Sequence, residues 1–361
     1  MMKVVLTRSH NAFEIGGINT YVWSIACELS RKGFDVHVVS GCGEVDTLDK
    51  YWAERFNGQI HVLKRANFAS QHEQLLTWLR RGSQLMHQLR PEIVHFNGAI
   101  PFLFDDAPSV ATCHGILNKR LTLPILLYDK LSYRHFTKAI IAVSEKVRDE
   151  LYNYIKVSKT KVIVIPIGFD ISSFGPIPFE KRENAILCGW GYIKNPEASL
   201  KAFHELKKNG INCRLYVAGL SRKQALISMP NLSSLVQDQD IIFTGRLDKY
   251  SMIKLYQRVK CGLLPSLYEA FPYGVLELFA CGTPVVGSYA IPNHVLRHAY
   301  NGFMVLPHDF SAMTKYVSKL FEDDKLWKKM SKNAQQTANL FSISKMTKDL
   351  INLYQNLVKS Y

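Results

Sequence analysis

Short runs of aliphatic and β-branched residues alternate along the chain with longer segments of helical periodicity. Apolar runs of this length are typical of parallel strands that are buried on both faces. In the first half they predict strands at Val4–Thr7, Val36–Ser40, Ile93–Phe96, Val110–Cys113, Ile140–Val143 and Val162–Ile165. Helical patterns lie between these runs, at residues 18–32, 71–90, 124–137 and 144–155. This alternation predicts one doubly wound α/β half.

The alternation stops at residues 165–184, where prolines and glycines leave no apolar periodicity, and this stretch is interpreted as a linker. A second series of strands is predicted beyond it, at Ala185–Cys188, Arg214–Ala218, Ile241–Thr244, Cys261–Leu264 and Pro284–Gly287. Helices are predicted at about 196–208, 248–259, 272–281 and 309–322, and two more at about 324–337 and 343–358.

The predicted fold is therefore α/β, with two Rossmann-like, doubly wound domains that face a cleft. The predicted domains are an N-terminal one at 1–167 and a C-terminal one at 168–342, followed by a helix at 343–361 that is expected to cross back to the N-terminal domain. A length of 361 residues fits two such domains. In open parallel sheets ligands lie beyond the carboxyl ends of the strands, so site residues are expected just after strands.

The chain is basic, with a formal net charge of +15, and such proteins can bind nucleic acid, anionic membranes or phosphorylated small molecules. The charge is spread along the chain without a nucleic-acid motif, which argues against nucleic acid as a partner. No apolar run has the roughly 18 residues of a membrane span, and the apolar start is too short for a signal peptide. Seven scattered cysteines without a C-x-x-C pair favour a reducing cytoplasm and indicate no metal site.

One stretch, "SLYEAFPYGVLELFACGTPVVGS" from Ser266 to Ser288, combines two glutamates with a helix start. Glu277 lies in an apolar run, where a carboxylate is costly to bury unless it is paired. Pro272 suits the first turn of a helix, because its missing N–H costs nothing there. The expected anion donors at this helix start are the N–H groups of Phe271, Tyr273 and Gly274.

The chemical order of a nucleotide-sugar is ribose diol, diphosphate and sugar hydroxyls, which matches a phosphate site between two carboxylates. Glu269 and Glu277 are eight residues apart and would bind hydroxyls on either side of the helix start. The alternative is a surface glutamate and a partly buried one on an ordinary helix.

This stretch resembles the C-terminal signature of the family-4 retaining glycosyltransferases of GT-B fold, in which E-x7-E runs into A-x-G-x-P-V-V, here Ala280–Val286. Other segments follow the family's order: "GGINTYVWSIACELSRKGFDVHVVS", "PEIVHFNG", "ATCHG", "IIAVSE", "VIVIPIGFD", "FTGRL" and "NGFMVLPHD". The resemblance covers nearly the whole chain. It implies a nucleotide-sugar donor on the C-terminal domain and an acceptor on the N-terminal domain.

The resemblance also assigns roles to residues. Glu269 would hold sugar hydroxyls near the reacting carbon, Glu277 would anchor the ribose, and Lys194 would neutralise the departing diphosphate. His114 would lie near the reacting sugar, with Gly16 and Gly17 placed across the cleft from the diphosphate. The residues that would border the base are Gly245, Arg246 and Leu247.

The chain departs from the family pattern beside Lys194. The family has Gly-Arg, a spacer and Lys-Gly, whereas this sequence has Trp190 for the arginine and Asn195 for the second glycine. A missing guanidinium can remove several kcal/mol of leaving-group stabilisation. Either another cation replaces it, with Arg246 and Arg8 as candidates, or the phosphate is held differently, or activity is low.

No metal is expected. Asp238-Gln239-Asp240 matches the D-x-D metal motif of a different glycosyltransferase fold, but it precedes a predicted strand, away from the ligand side, and is interpreted as a polar loop. Lys194 and the helix start would carry the phosphate charge instead. The basic and apolar stretch at 118–138 could lie on an anionic membrane, or it could be an ordinary amphipathic helix packed on a sheet.

The sequence therefore predicts a metal-independent, retaining hexosyltransferase that moves a sugar from a nucleotide-sugar to a glycan or lipid-linked acceptor in cell-surface polysaccharide, such as lipopolysaccharide or exopolysaccharide, or in glycolipid synthesis. Its expected location is the cytoplasm, with peripheral contact at the inner face of the plasma membrane. Two alternatives stay open: a non-catalytic or weakly active nucleotide-sugar-binding protein, and a sugar-nucleotide epimerase.

Overall fold

The structure, a computed structural model, describes residues 1–14, 16–63, 71–98, 104–116 and 130–361, with the side chains of residues 71–77 excluded. The chain divides into two compact units. Unit 1 comprises Met1–Asp170 together with Ser342–Tyr361, and unit 2 comprises Ile171–Phe341. Within the described ranges, no helix combines the length and the apolar character needed to cross a bilayer.

Unit 1 is built on a seven-stranded sheet whose described pairings are all parallel. Its strands are β1 (Lys3–Asn11), β2 (Asp35–Cys42), β3 (Gln59–Val62), β4 (Ile93–Asn97), β5 (Ser109–Cys113), β6 (Ala139–Ala142) and β7 (Val162–Val164). They lie in the order β3-β2-β1-β4-β5-β6-β7, so the direction of the crossovers reverses between β1 and β4.

The described helices of unit 1 include α1 (Gly17–Arg31), α2 (Lys50–Ala53), α3 (Gln71–Leu89), α4 (Glu145–Glu150) and, from the last residues of the sequence, α12 (Ile343–Ser360). A π-helical turn at Leu151–Ile155 follows α4 and ends at Lys156, whose φ is 60°. The Ser144 side chain caps α4 by accepting a hydrogen bond from the Val147 N–H.

Unit 2 has a six-stranded parallel sheet in the order β10-β9-β8-β11-β12-β13. Its strands are β8 (Glu183–Gly189), β9 (Arg214–Ala218), β10 (Ile241–Gly245), β11 (Val259–Leu264), β12 (Val285–Ser288) and β13 (Gly302–Val305). Its helices are α5 (Pro196–Lys208), α6 (Arg222–Ser228), α7 (Ser233–Val236), α8 (Lys249–Arg258), α9 (Tyr273–Ala280), α10 (Phe310–Glu322) and α11 (Asp324–Ala338).

The predicted fold class, two Rossmann-like α/β domains, is confirmed, because each unit is a parallel sheet wound with helices. Two strands escaped prediction. β3 alternates polar and apolar residues and is only partly buried, and β13 has four residues and begins with a glycine. The predicted helix at 124–137 falls partly outside the described residues, which resume at residue 130.

A buried arginine joins the segment that precedes β8 to the rest of unit 2. The Arg182 guanidinium donates to the carbonyls of Val259 at 2.9 Å and Cys281 at 2.5 Å and to Thr283 Oγ1 at 2.6 Å, and it also donates to the Ile177 carbonyl. Burial lowers the pKa of Arg182 to about 10, so the group stays charged at neutral pH. Its partners are mainly backbone oxygens, which makes it a structural clamp.

The C-terminal helix α12 is joined to the sheet of unit 1 through a buried histidine. His95 Nδ1 lies 2.5 Å from the Tyr354 hydroxyl, and His95 Nε2 lies 2.6 Å from Thr112 Oγ1. Burial lowers the pKa of His95 to about 3. The ring therefore remains neutral in the folded state throughout the physiological range.

This histidine predicts acid sensitivity. Between pH 6.5 and about 3 the unfolded chain protonates His95 while the folded chain does not. The contribution of His95 to the free energy of unfolding is therefore complete above pH 6.5 and is lost as the pH falls. At pH 5 the loss should be about 2 kcal/mol. Urea unfolding at pH 7 and pH 5 should show a smaller acid loss in His95→Gln than in the wild type. The exposed His135→Gln control should follow the wild type; equal losses in all three would contradict the prediction.

Candidate functional site

Polar side chains gather at the carboxyl ends of β8 and β11 in unit 2. These strands are neighbours at the point where the order of the sheet reverses, which is where ligands bind in open α/β sheets. The loop after β8 carries Lys194, and the loop after β11 carries Glu269. The two loops are joined by a hydrogen bond of 2.7 Å from the Leu267 N–H to the Ile193 carbonyl.

Lys194 closes a single 3₁₀ turn, Tyr192–Lys194, whose flanks have left-handed backbone. Gly191 has a φ of 116° and Asn195 a φ of 52°. Asparagine tolerates this conformation better than other residues with a side chain, so Asn195 preserves the geometry that a glycine would give. Its side-chain amide also donates to the carbonyls of Pro307, at 2.8 Å, and Pro265, at 3.3 Å. Asn195 in place of the family's second glycine is therefore compatible with the same backbone conformation.

Lys194 and Glu269 form an ion pair, with 2.7 Å between Lys194 Nζ and Glu269 Oε1. The Ser266 hydroxyl donates to the same carboxylate oxygen at 2.7 Å. Glu269 is buried, whereas 41% of the Lys194 side chain is exposed. A fixed carboxylate thus holds a cation that faces solvent, where a charged ligand can reach it.

Helix α9 begins beside this pair, with Pro272 as its N-cap. The sequence predicted that three backbone amides at this helix start would donate to an anion. In the structure these amides differ in whether they already have a hydrogen-bond partner. The Tyr273 N–H donates to the Phe271 carbonyl at 3.1 Å. The N–H groups of Phe271 and Gly274 have no hydrogen-bond partner among the described residues. Two amides and the positive end of the helix dipole therefore remain for an anion.

Glu277 lies further along α9 and is buried. Its Oε1 pairs with Lys249 Nζ, and its Oε2 accepts a hydrogen bond of 2.8 Å from the Tyr256 hydroxyl. Burial, followed by the charge of Glu277, raises the pKa of Tyr256 well above its usual value, so the phenol remains a donor. A carboxylate has about four acceptor positions, which leaves capacity for ligand hydroxyls.

Lys249, Tyr256 and Ser266 were missed by the sequence analysis. The requirement that a buried Glu277 be paired was recognised there, but its partners lie 28 and 21 residues away and on another helix, α8. Lys249 could have been found only by asking which lysine could pair with a buried Glu277.

The predicted base-bordering residues lie at the carboxyl end of β10 and directly after it. Gly245 has a φ of 67°, which favours glycine, and its N–H donates to the Leu220 carbonyl at 3.0 Å. Arg246 is exposed, with no ion pair to any described residue, and Leu247 is partly buried. The same loop leads into α8, which carries Lys249, so the backbone of Gly245–Leu247 lies close in sequence to the partner of Glu277.

Trp190 occupies the position where the family has arginine, and it is part of the apolar packing of unit 2. Its ring contacts Phe243 edge-on, with 6.4 Å between ring centroids, and it packs against the core of the unit. A Cβ placed on Gly219 would lie 3.8 Å from the Trp190 Cβ. Lys194 is the cation that the structure places in the ion pair with Glu269.

The other predicted site residues belong to unit 1. His114 follows β5, is partly buried and contacts the Tyr21 ring edge-on, with 4.8 Å between centroids. Gly17 begins α1 and Gly16 is its N-cap. A Cβ on Gly16 would meet no atom within 4 Å, so open space lies next to this backbone.

Asp238 and Asp240 lie just before β10, at the amino end of the strand, away from the cluster described above. Asp240 pairs with Lys207, and its N–H donates to Asp238 Oδ1 at 2.9 Å. In the ranges that the structure covers, no three metal-binding side chains converge. The polar-loop interpretation of this pair agrees with these contacts.

Two family models match the chain in order. "Glycosyltransferase Family 4" matches residues 15–173, and "Glycosyl transferases group 1" matches residues 190–337. The chain belongs to the family-4 glycosyltransferases of GT-B fold. This family-4 glycosyltransferase has E-x7-E, as Glu269 and Glu277, inside the second match.

Relatives extend over most of the chain at low identity. Glycogen synthase of Mycobacterium tuberculosis is 23% identical over 89% of this chain and 86% of its own length. The capsular polysaccharide biosynthesis glycosyltransferase CapM of Staphylococcus aureus is 23% identical over 92% of both chains. Among solved structures, Anabaena Alr3699/HepE in complex with UDP-glucose superposes with a TM-score of 0.81, at 16% identity over 99% of this chain and 100% of that one. At this identity the likeness shows the fold.

Proposed function

We propose that this family-4 glycosyltransferase is a retaining hexosyltransferase that takes its sugar from a nucleoside-diphosphate sugar bound to unit 2. The acceptor is a hydroxyl of a glycan or a lipid-linked sugar in cell-surface polysaccharide or glycolipid synthesis. One observation carries the proposal: an ion pair of Lys194 and Glu269 lies beside two amides at the start of α9 that have no partner in the described part of the chain. The capsular relative and the UDP-glucose complex of a protein with this fold support the substrate class.

The diphosphate would bind between Lys194 and the start of α9. The bond from the anomeric carbon to the diphosphate breaks in the reaction, and negative charge grows on the departing oxygen. A cation and backbone N–H groups already fixed in place stabilise that charge without reorganising. Lys194 Nζ is exposed enough to meet the phosphate while Glu269 keeps it oriented.

The two carboxylates would bind the hydroxyls at the two ends of the donor. Glu269 accepts from sugar hydroxyls near the reacting carbon, and Glu277 accepts from the ribose diol. Lys249 and Tyr256 fix the Glu277 carboxylate by donating to its two oxygens. For His114, Gly16 and Gly17, which belong to unit 1, we keep as proposals the roles that the resemblance implies. The stereochemical outcome rests on the resemblance to retaining enzymes.

A ligand screen tests the donor assignment. Because a ligand that binds only the native state raises the melting temperature, UDP-, GDP- and ADP-sugars should be compared by thermal shift. One base is expected to raise the melting temperature of the wild type by several degrees. Glu277→Ala should abolish that shift, and the exposed control Glu322→Ala should retain it. No shift with any nucleotide-sugar would contradict the proposal.

The reaction is proposed to need no divalent metal, because Lys194 and the α9 amides carry the phosphate charge. Turnover measured after extensive treatment with EDTA should equal the untreated rate within error. A rate that falls with EDTA and recovers with Mg²⁺ or Mn²⁺ would contradict this prediction.

Trp190 keeps one rival open, a nucleotide-sugar binder with little or no activity, since the family's arginine is absent. Calorimetric binding without turnover across many acceptors would favour that rival. An epimerase would convert the nucleotide-sugar without any acceptor, so product analysis in the absence of acceptor separates it from a transferase.

We also propose a cytoplasmic enzyme with peripheral contact to the inner membrane surface. Much of the basic segment 118–138 that motivates this, residues 118–129, lies outside the described residues; within the rest, Leu131 and Phe136 are exposed beside Lys130, Arg134 and Lys138. Sedimentation with anionic liposomes at low salt should recover the protein in the pellet, and neutral liposomes should not.

A further inference from the structure

Two polar side chains lie next to each other where the order of the unit 1 sheet reverses. β1 and β4 pair in register, with Leu6 opposite His95 and Thr7 opposite Phe96, so the next pair is Arg8 and Asn97. Both lie toward the carboxyl ends of their strands, in the position where open parallel sheets bind ligands. Neither residue has a role in the donor site proposed for unit 2.

Arg8 is an oriented cation that has no acidic partner among the described residues. Its Nε donates to Asn19 Oδ1 at 3.1 Å, and Asn19 is itself fixed because its Nδ2 donates to the carbonyls of Asn11 and Glu14, both at 2.8 Å. Arg8 Nη1 makes only a 3.5 Å contact to the Asn97 carbonyl. Among the described residues no carboxylate lies within ion-pair distance of Arg8, and none accepts from its Nη2.

The environment of Arg8 is partly closed. Burial lowers the pKa of Arg8, and the more distant charge of Glu14 opposes that effect. Gly98, next to Asn97, has a φ of 121°, and a Cβ there would lie 3.9 Å from Arg8 Nη1. A glycine at this point leaves that side of the guanidinium uncovered.

Asn97 is the stronger indication of a ligand. Its side chain is buried, with 3% exposure, and in the described part of the chain neither Oδ1 nor Nδ2 has a hydrogen-bond partner. A buried amide without partners is costly, and most such groups in folded proteins are satisfied. Alternation along β4 puts Asn97 on the same face as His95, whose ring contacts Tyr21 of α1. Arg8 also contacts α1, through Asn19, so both polar groups lie on one face.

We propose that Arg8 and Asn97 form a subsite for an oxyanion, a carboxylate or a phosphate, carried by the acceptor and flanked by a hydroxyl. The guanidinium nitrogens Nη1 and Nη2 donate to two oxygens of the anion, as planar guanidinium groups do in bidentate pairs. Asn97 Nδ2 donates to the anion as well, and Asn97 Oδ1 accepts from the neighbouring hydroxyl. Acidic sugars and phosphorylated sugars share this chemistry. The assignment to an acceptor rests on the proposed function.

Direct binding tests the subsite without any turnover. Calorimetric titrations of the full chain should use inorganic phosphate, glucuronate and, as the uncharged comparison, glucose. The wild type should bind at least one anion and should not bind glucose. Arg8→Gln and the near-isosteric Asn97→Asp, which adds a repelling charge, should each weaken anion binding at least tenfold. Arg31→Gln, which removes an exposed arginine that is paired with Glu28, is the matched control and should bind like the wild type.

The preference between phosphate and glucuronate identifies the kind of acidic acceptor. Unchanged anion binding in both variants, in chains whose melting temperature matches the wild type, would overturn the proposal. So would loss of nucleoside-diphosphate affinity in Arg8→Gln, because Arg8 would then serve the donor. Glu277→Ala should show the opposite pattern, with anion binding kept and nucleotide binding lost. If no nucleotide binds the wild type but the anion still binds through Arg8, the proposed function fails and the subsite stands.

Discussion

Replacing Lys194 with methionine is expected to lower kcat about 100- to 1,000-fold with a smaller change in KM for the donor. In the proposed function Lys194 would meet the negative charge that grows on the leaving diphosphate as the bond to the sugar breaks, and this additional charge is absent from the bound substrate. Steady-state kinetics with the donor found by thermal shift provide the measurement. Glu269→Ala should also act mainly on turnover, whereas Glu277→Ala should act mainly on nucleotide affinity.

The chain offers a closely matched control for Lys194. Lys201 pairs with Glu197 on α5 at the same 2.7 Å, and 39% of its side chain is exposed, against 41% for Lys194. Lys201→Met should therefore leave kcat within about twofold of the wild type, as expected for an exposed pair one helical turn apart. Equal kinetics for the Lys194 and Lys201 variants would remove Lys194 from the leaving-group role.

Replacing Arg182 with methionine is expected to destabilise the protein by about 4 kcal/mol. The change leaves several buried oxygens, including the carbonyls of Val259 and Cys281, without their donor, and each such group costs about 1–3 kcal/mol. It also removes the guanidinium from above the Trp327 ring. Urea unfolding followed by circular dichroism measures the loss.

Two further variants sharpen this test. Arg182→Lys keeps the charge but not the planar fork, so it should lose most of the same stability. Arg214→Met removes a half-exposed arginine that lies 4.0 Å from Glu183, and it should change stability by no more than about 0.5 kcal/mol. Arg182 also donates to the Tyr256 carbonyl, and the Tyr256 hydroxyl donates to Glu277. Arg182→Lys should therefore disturb the Glu277 carboxylate and weaken nucleotide binding. A stable Arg182→Met protein would show that the clamp is dispensable.

Much of the fold could be predicted because strands buried on both faces leave continuous apolar runs in the sequence. β9, at Arg214–Ala218, matches its predicted range, and β5 differs by one residue. β3 could not be found in this way because none of its residues is buried and they alternate in polarity. The short helices α6 and α7 have too few turns to produce a periodic pattern.

The candidate site was partly predictable for a different reason. A glutamate in an apolar run, such as Glu277, stands out locally, and so does a helix start after a strand, such as Pro272. The partners of Glu277 are fixed by packing between α8 and α9, which no local pattern records. Asn97 was not predicted because an asparagine at a strand end looks ordinary in the sequence; only the structure shows that its buried side chain has no hydrogen-bond partner among the described residues.

Because Ser342–Tyr361 belongs to unit 1, the two units can complete their folding only in a certain order. During translation the segment up to Asp170 leaves the ribosome well before Ser342–Tyr361 does, whereas unit 2 is one continuous stretch of chain. Domains usually fold from the N-terminus onward as they are synthesised. Here unit 2 can finish folding first, whereas unit 1 lacks the contact between Tyr354 and His95 until Ser342–Tyr361 has been synthesised. A chain released before Ser342–Tyr361 is made would lack the α12 contact to His95 and would be a better substrate for chaperones and proteases.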